Sequence, residues 1–217
     1  MKVKMMLLLI VLVSSAAWGE VLMTADPLGK DGCSLAVRYY KDSQANGTGF
    51  GDLNSWGASY GYAIDEKLDL FFAVDYSAKS GLPAGMDYSL VNLGLMTKYA
   101  LLEEGASFPV SLSGNLGYRF LAVSSSLAGS ATGSQYLAGV ELSKKINYFT
   151  PYVGVDYRTI SIGQGISTNQ LGITLGTAYK LTDNGSVLLE YTSNSNSMAG
   201  THLYSSSQLG MSLCYKM

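Results

Sequence analysis

The chain has 217 residues, 47% of them hydrophobic, with 25 glycines, 16 tyrosines and a formal net charge of −2. That length fits one domain or a barrel of roughly eight to ten strands, with no visible linker. With 14 basic against 16 acidic residues there is no excess of cations to form a groove for nucleic acid.

The chain opens with Lys2 and Lys4, an unbroken apolar run from Met5 to Val13, and small residues from Ser14 to Gly19 apart from Trp18. This is the layout of a secretory signal peptide. Residues 1–19 are expected to be a leader cut before Glu20, with a cut at Ala17 the alternative, and residues 20–217 to form one barrel domain. An uncleaved anchor is disfavoured, because a helix across a bilayer needs roughly 20 apolar residues. No later stretch is long and apolar enough for such a helix, so a membrane address must come from strands.

Beyond the leader, apolar or aromatic residues alternate with Gly, Ser, Thr, Asn or charged ones, the period of strands with two unlike faces. The pattern predicts about ten strands: Ser34–Lys41, Ser55–Ile64, Leu68–Tyr76, Tyr88–Tyr99, Val110–Ala122, Gln135–Lys144, Phe149–Ser161, Asn169–Lys180, Ser186–Asn194 and Ser206–Met217. Connections after even strands are mostly short, as at Asp65–Lys67, Lys145–Asn147 and Leu181–Gly185; Ala100–Pro109 is longer. Those after odd strands are mostly longer and polar: Asp42–Asn54, Ser77–Asp87, Val123–Ser134, Ile162–Thr168 and Ser193–Ser205. Short turns on the periplasmic side and longer loops outside are the arrangement of outer-membrane barrels.

Aromatic placement agrees. On the apolar face Tyr39, Trp56, Tyr76, Tyr118, Tyr136, Tyr157 and Tyr191 fall near the loop ends, and Tyr99, Phe149, Tyr179 and Tyr215 near the turn ends. Leu, Val and Ile lie between them, as at Leu93, Leu95, Val153, Val155, Ile173 and Leu175. Two belts of amphipathic rings around an aliphatic band mark two membrane interfaces. A soluble lipocalin-like barrel would alternate too, but with its apolar residues inward. The expected fold is all-β: an antiparallel up-and-down transmembrane β-barrel of about ten strands, with eight the alternative.

The closing strand carries Leu209, Met211, Leu213 and Tyr215 on one face. This chain resembles the small outer-membrane β-barrels of the OmpA and opacity-protein type over nearly all of its exported length. The resemblance implies a cell outer-membrane location, lipid as surroundings and the barrel-assembly machinery as a partner during biogenesis. Such families usually have eight strands and finish on Phe or Trp, whereas this chain finishes on Met217.

With apolar positions facing lipid, the opposite parity puts Arg38, Asp75, Arg119, Asp156, Arg158 and Glu190 in the lumen, and Lys98, Glu141, Lys180 and Lys216 toward the periplasmic mouth. Mutual pairing is expected, because an unpaired buried charge is expensive. The cluster is read first as a polar plug that fills the barrel, and second as a charged constriction for small solutes or ions. A barrel enzyme is a third reading. Its one histidine, His202, is placed in a polar connection without the aspartate pairs of omptin-type proteases. In the His-x-Ser-Asn frame of lipid A deacylases, Tyr191 stands where the histidine would precede Ser193 and Asn194, so no base is evident for Ser193. No catalytic, metal-binding or cofactor residues are assigned. Cys33 and Cys214 lie on strands that barrel closure makes neighbours, which leaves a disulfide open, although alternation sends one outward and the other inward. The expected role is structural or surface-interacting, with no surface ligand identifiable.

Overall fold

The computed structural model describes residues 24–44, 52–79, 87–126, 129–163 and 166–217. The leader predicted for residues 1–19 lies outside them. Ten strands follow one another: β1 (Cys33–Gln44), β2 (Leu53–Ala63), β3 (Leu68–Lys79), β4 (Tyr88–Leu102), β5 (Ser111–Ser125), β6 (Gly129–Ser143), β7 (Phe149–Ile162), β8 (Ile166–Lys180), β9 (Gly185–Met198) and β10 (Thr201–Lys216). Each pairs antiparallel with its sequence neighbours, and β1 pairs with β10 from Ser34↔Lys216 to Gln44↔Ser206, closing the barrel. Closure satisfies the backbone groups that a sheet edge would leave bare.

Alternation decides which side each residue takes. Leu93, Val155, Ile173 and Leu175 are exposed on the outer wall, whereas Arg38, Asp75, Arg119 and Arg158 are buried inside. The predicted orientation therefore holds, and a soluble carrier with an apolar interior and ionic exterior is excluded. Both aromatic belts are present. Rings of neighbouring strands touch within them, Tyr39 with Trp56 and Tyr118 with Tyr136 at one interface, Phe149 with Tyr179 at the other.

Several strands run further than predicted at the loop end. Val123–Ser134 was expected as a connection, yet β5 continues to Ser125 and β6 begins at Gly129. Ile162–Thr168 narrows similarly, with β8 starting at Ile166. The largest correction is Ser193–Ser205. It forms a hairpin closed by Thr201↔Met198, with Ala199 and Gly200 at φ of 50° and 80°. Two positive φ values are what a tight I′ turn requires. Serine and asparagine imitate a loop in composition, but Asn194 and Asn196 are buried inward while Ser193 and Ser195 point out. The alternation continues in polar residues.

The lumen is crowded, and glycines make room for its large side chains. Gly57 is paired with both Arg38 and Asp75, Gly172 with Asp156, Gly176 with Tyr152 and Glu190, and Gly210 with Tyr40 and Glu190. A Cβ at Gly57 would overlap the Asp75 carboxylate, and one at Gly176 or Gly210 would overlap the ring of Tyr152 or Tyr40. These glycines are lumen-facing gaps into which a neighbour folds.

Two stability measurements probe this arrangement. Ile173→Arg, in the middle of the lipid-facing band, is expected to cost about 2–4 kcal/mol in reversible unfolding from vesicles; an unchanged midpoint would contradict the orientation. Gly176→Val is expected to destabilise by about 1–3 kcal/mol through overpacking. Adding Tyr152→Ala should restore part of that loss, whereas strictly additive losses would contradict the contact.

Candidate functional site: the barrel lumen

The interior is layered along the barrel axis. A charged layer occupies the middle. Arg38 on β1 reaches past Gly57 to Asp75 on β3, donating from Nε to Oδ1 at 2.8 Å and from Nη2 to Oδ2 at 3.0 Å. This fork geometry is the strong form of an ion pair. Arg158 is ion-paired with Asp156 two residues earlier on β7. It also donates from Nη1 to the Gln170 carbonyl at 3.0 Å, and Gln170 Nε2 passes the chain on to Asn196 at 2.9 Å. Glu190 accepts from the Tyr152 hydroxyl at 3.0 Å and from Thr192 at 3.3 Å. Arg119 lies in the field of both Asp75 and Asp156. A cavity of about 30 Å³ between Arg119, Glu141, Tyr152, Asp156, Thr174 and Glu190 is sized for a water.

Toward the loop end an apolar patch sits beside buried polar side chains such as Asp42, Thr168 and Asn196. Leu53, Tyr88, Leu90, Leu121, Val123, Ile160 and Ile162 form one buried cluster. Toward the turn end Tyr40, Tyr152, Ala178 and Leu188 form another, with Cys214 packed against it.

Below that second cluster, the segment of residues 24–32 crosses the turn-end mouth. Lys98, only 2% exposed, is ion-paired with Asp69 at 3.2 Å and donates to the carbonyl oxygens of Asp26 at 2.6 Å and Thr24 at 3.3 Å. The Asp26 carboxylate accepts from Ser111 at 2.7 Å and pairs with Lys145 at 3.2 Å. Asp69 also accepts from the Leu28 backbone N–H at 3.0 Å, and Lys216 donates to the Pro27 carbonyl at 3.4 Å. Beside this strap lies a vestibule of about 260 Å³, into which Lys98, Lys145, Lys180 and Lys216 face. In the adjoining turn a hydrogen bond from Lys180, at 2.9 Å, holds the Asp183 carboxyl below the usual carboxylate range.

The structure brings together the three arginines and three acids expected in the lumen. It leaves Lys180 and Lys216 at the mouth, as expected. Lys98 is at the mouth too, but buried, because Asp69 on the adjacent strand and the strap supply its partners. Glu141 instead lines the central cavity. The disulfide does not form. Cys214 is paired with Ala36, three positions along β1 from Cys33, and both thiols are free. His202 is in β10 and not in a loop, and its Nδ1 lies 3.2 Å from the Ser195 hydroxyl. Sequence reasoning found neither apolar cluster nor the strap. Parity alone marks the first, since Leu121 and Val123 share the face of Arg119, and Ile160 and Ile162 that of Arg158. The strap precedes the first strand and has no periodicity to read.

Residues 47–214 match a family model described as "Membrane bound beta barrel domain (DUF5777)". No curated protein matches the chain significantly. Among solved structures, LpxR from Salmonella typhimurium is similar at 8% identity and a TM-score of 0.54, covering 84% of this chain and 99% of that one. The translocator domain of the autotransporter NalP from Neisseria meningitidis follows at 10% identity and 0.51, covering 86% and 88%. The beta domain of the Bordetella autotransporter BrkA gives 9% and 0.50, covering 86% and 99%. At these identities the likeness is one of fold. The match across most of its length, on strands that close as described, places this chain in the DUF5777 family of membrane-bound β-barrels.

Proposed function

We propose that this barrel is a non-enzymatic component of the cell outer membrane, with a structural or surface-interaction role and a lumen closed to solutes. The observation that carries the reading is the stacking of three unlike layers inside one wall. An apolar cluster lies at the loop end, an ion-paired layer in the middle, and the strap of residues 24–32 is bonded to Lys98, Asp69 and Ser111 at the turn end. A cavity in the charged layer, of about 30 Å³, has room for about one water. The alternating closing strand supports kinship with the OmpA and opacity-protein type, with ten strands in place of their usual eight. In this reading the turn end faces the periplasm, outer-membrane lipid surrounds the wall, and the leader is removed before the barrel-assembly machinery inserts the chain.

A narrow channel is the second reading: the vestibule gathers four lysines, but Lys98, Lys145 and Lys180 are ion-paired with Asp69, Asp26 and Asp183, which weakens its pull on anions. Ala178 and Leu188 in its lining pack against buried Tyr40 and Tyr152, which supports the closed reading instead. Hydrolysis is the third reading. Ser195 and His202 are within hydrogen-bond distance, but among the described residues no acidic side chain is bonded to His202 to orient it.

Purified protein in planar bilayers is expected to give little or no steady conductance, and large stable open-channel steps would overturn the closed lumen. Asp75→Ala strands Arg38 and is expected to cost about 3–5 kcal/mol in stability. The same variant should leave conductance near the baseline; a variant that conducts yet unfolds like the parent would favour the channel.

A further inference from the structure

We propose that the outer wall of β6–β10, above the aromatic belt at the loop end, is a contact surface for the uncharged sugar units of glycolipids in the surrounding leaflet. The belt is marked on these strands by Tyr136, Tyr157 and Tyr191, with Leu171 and Leu209 between them, all exposed. Above it, apart from His202 and Leu203 at the β10 bulge, the outward positions are serine, threonine or asparagine. Examples are Ser134 on β6, Thr159 on β7, Asn169 on β8, Ser193 and Ser195 on β9, and Ser207 on β10. A soluble surface carries about a quarter or more charged side chains. Among the described residues this part of the five-strand wall carries no Asp, Glu, Lys or Arg. A merely solvated wall has no reason to omit charge so completely.

The chemistry of the wall selects its partner. With no lysine or arginine there is nothing to pair with phosphate or carboxylate headgroups. Hydroxyls and amides both donate and accept, as do the hydroxyls of a neutral sugar. Strand geometry repeats them about every 4.8 Å across the wall and about 6.7 Å along it, a lattice that adjacent sugar rings can bridge. Short side chains keep the surface flat, so a layer of sugars can approach closely. The wall is also continuous with the membrane interface. Tyrosine rings mark headgroup level, so what stands beside the next row of residues is the headgroup itself. The uncharged wall ends at β1, where Lys41, opposite Leu209 of β10, is ion-paired with Asp52 and holds the Asp52 carboxyl below its usual range. The inference rests on the outward-facing loop end of the proposed function, and not on whether the lumen conducts.

The test is native mass spectrometry of the detergent-solubilised full chain, with digalactosyl diacylglycerol as the probe and dioleoylglycerol as its sugar-free counterpart. The parent protein is expected to retain the glycolipid at least about 10-fold over the sugar-free lipid. Ser193→Ala, Ser195→Ala and Ser207→Ala together should abolish that preference, whereas Asn54→Ala with Ser89→Ala, outward on β2 and β4 and unpaired with any strand of this wall, should not. The backbone ladder keeps these variants folded, which heat-modified gel mobility checks. Equal retention of the two lipids, or an unaffected triple variant, would overturn the proposal. So would equal competition by free digalactose, which would mark the wall as a site for soluble saccharide. Conductance, read separately, reports on the closed lumen and not on this surface.

Discussion

Hydrocarbon offers no hydrogen bonds, so a sheet placed in it must leave no edge. In this chain that constraint is met by the pairing of β1 with β10 along eleven positions, from Ser34↔Lys216 to Gln44↔Ser206. Everything else follows from closure. Once the sheet is a cylinder, each strand has one face toward lipid and one toward a narrow interior, and period-two alternation becomes a division between two solvents. Leucine, valine and isoleucine go out. Arginine and aspartate go in, because hydrocarbon would leave their charges unsolvated.

The interior then sets its own demands. A charge taken from water needs a partner with good geometry, and the lumen supplies forked or adjacent pairs: Arg38 with Asp75 across one strand, Arg158 with Asp156 along one. Side chains this large fit only because glycines face them from neighbouring strands, as Gly57 and Gly176 do. Pairing and packing are thus one device, which fixes strand register and uses up the free volume. At the two ends different chemistry takes over, an apolar cluster beside neutral and acidic polar side chains at the loop end and a backbone strap held by Lys98 and Asp69 at the turn end.

Alternation made the strands, their sidedness and the lumen charges legible in the amino-acid sequence. Arg38, Arg119, Arg158, Asp75, Asp156 and Glu190 all sit inside as their parity requires. What stayed hidden had no period-two contrast. Ser193–Ser205 kept its alternation, but in residues of equal polarity, so composition suggested a loop where β9 and β10 continue. Leu121 and Ile160 share a parity with buried arginines, but an apolar residue on the inward face carries no polarity contrast to announce it. The strap and the burial of Lys98 depend on contacts between segments distant in sequence, which no local pattern records.

The orientation on which all of this depends can be measured with a single fluorescent side chain. The chain has two tryptophans, Trp18 and Trp56, and in a variant carrying Trp18→Phe only Trp56 remains, 62% exposed on the outer wall in the loop-end belt. In vesicles its fluorescence should be quenched strongly by lipids brominated near the headgroup and weakly by iodide in the aqueous phase. Strong quenching by iodide, with brominated lipid having no effect, would show that the wall meets water and would contradict a barrel whose outer face lies against lipid.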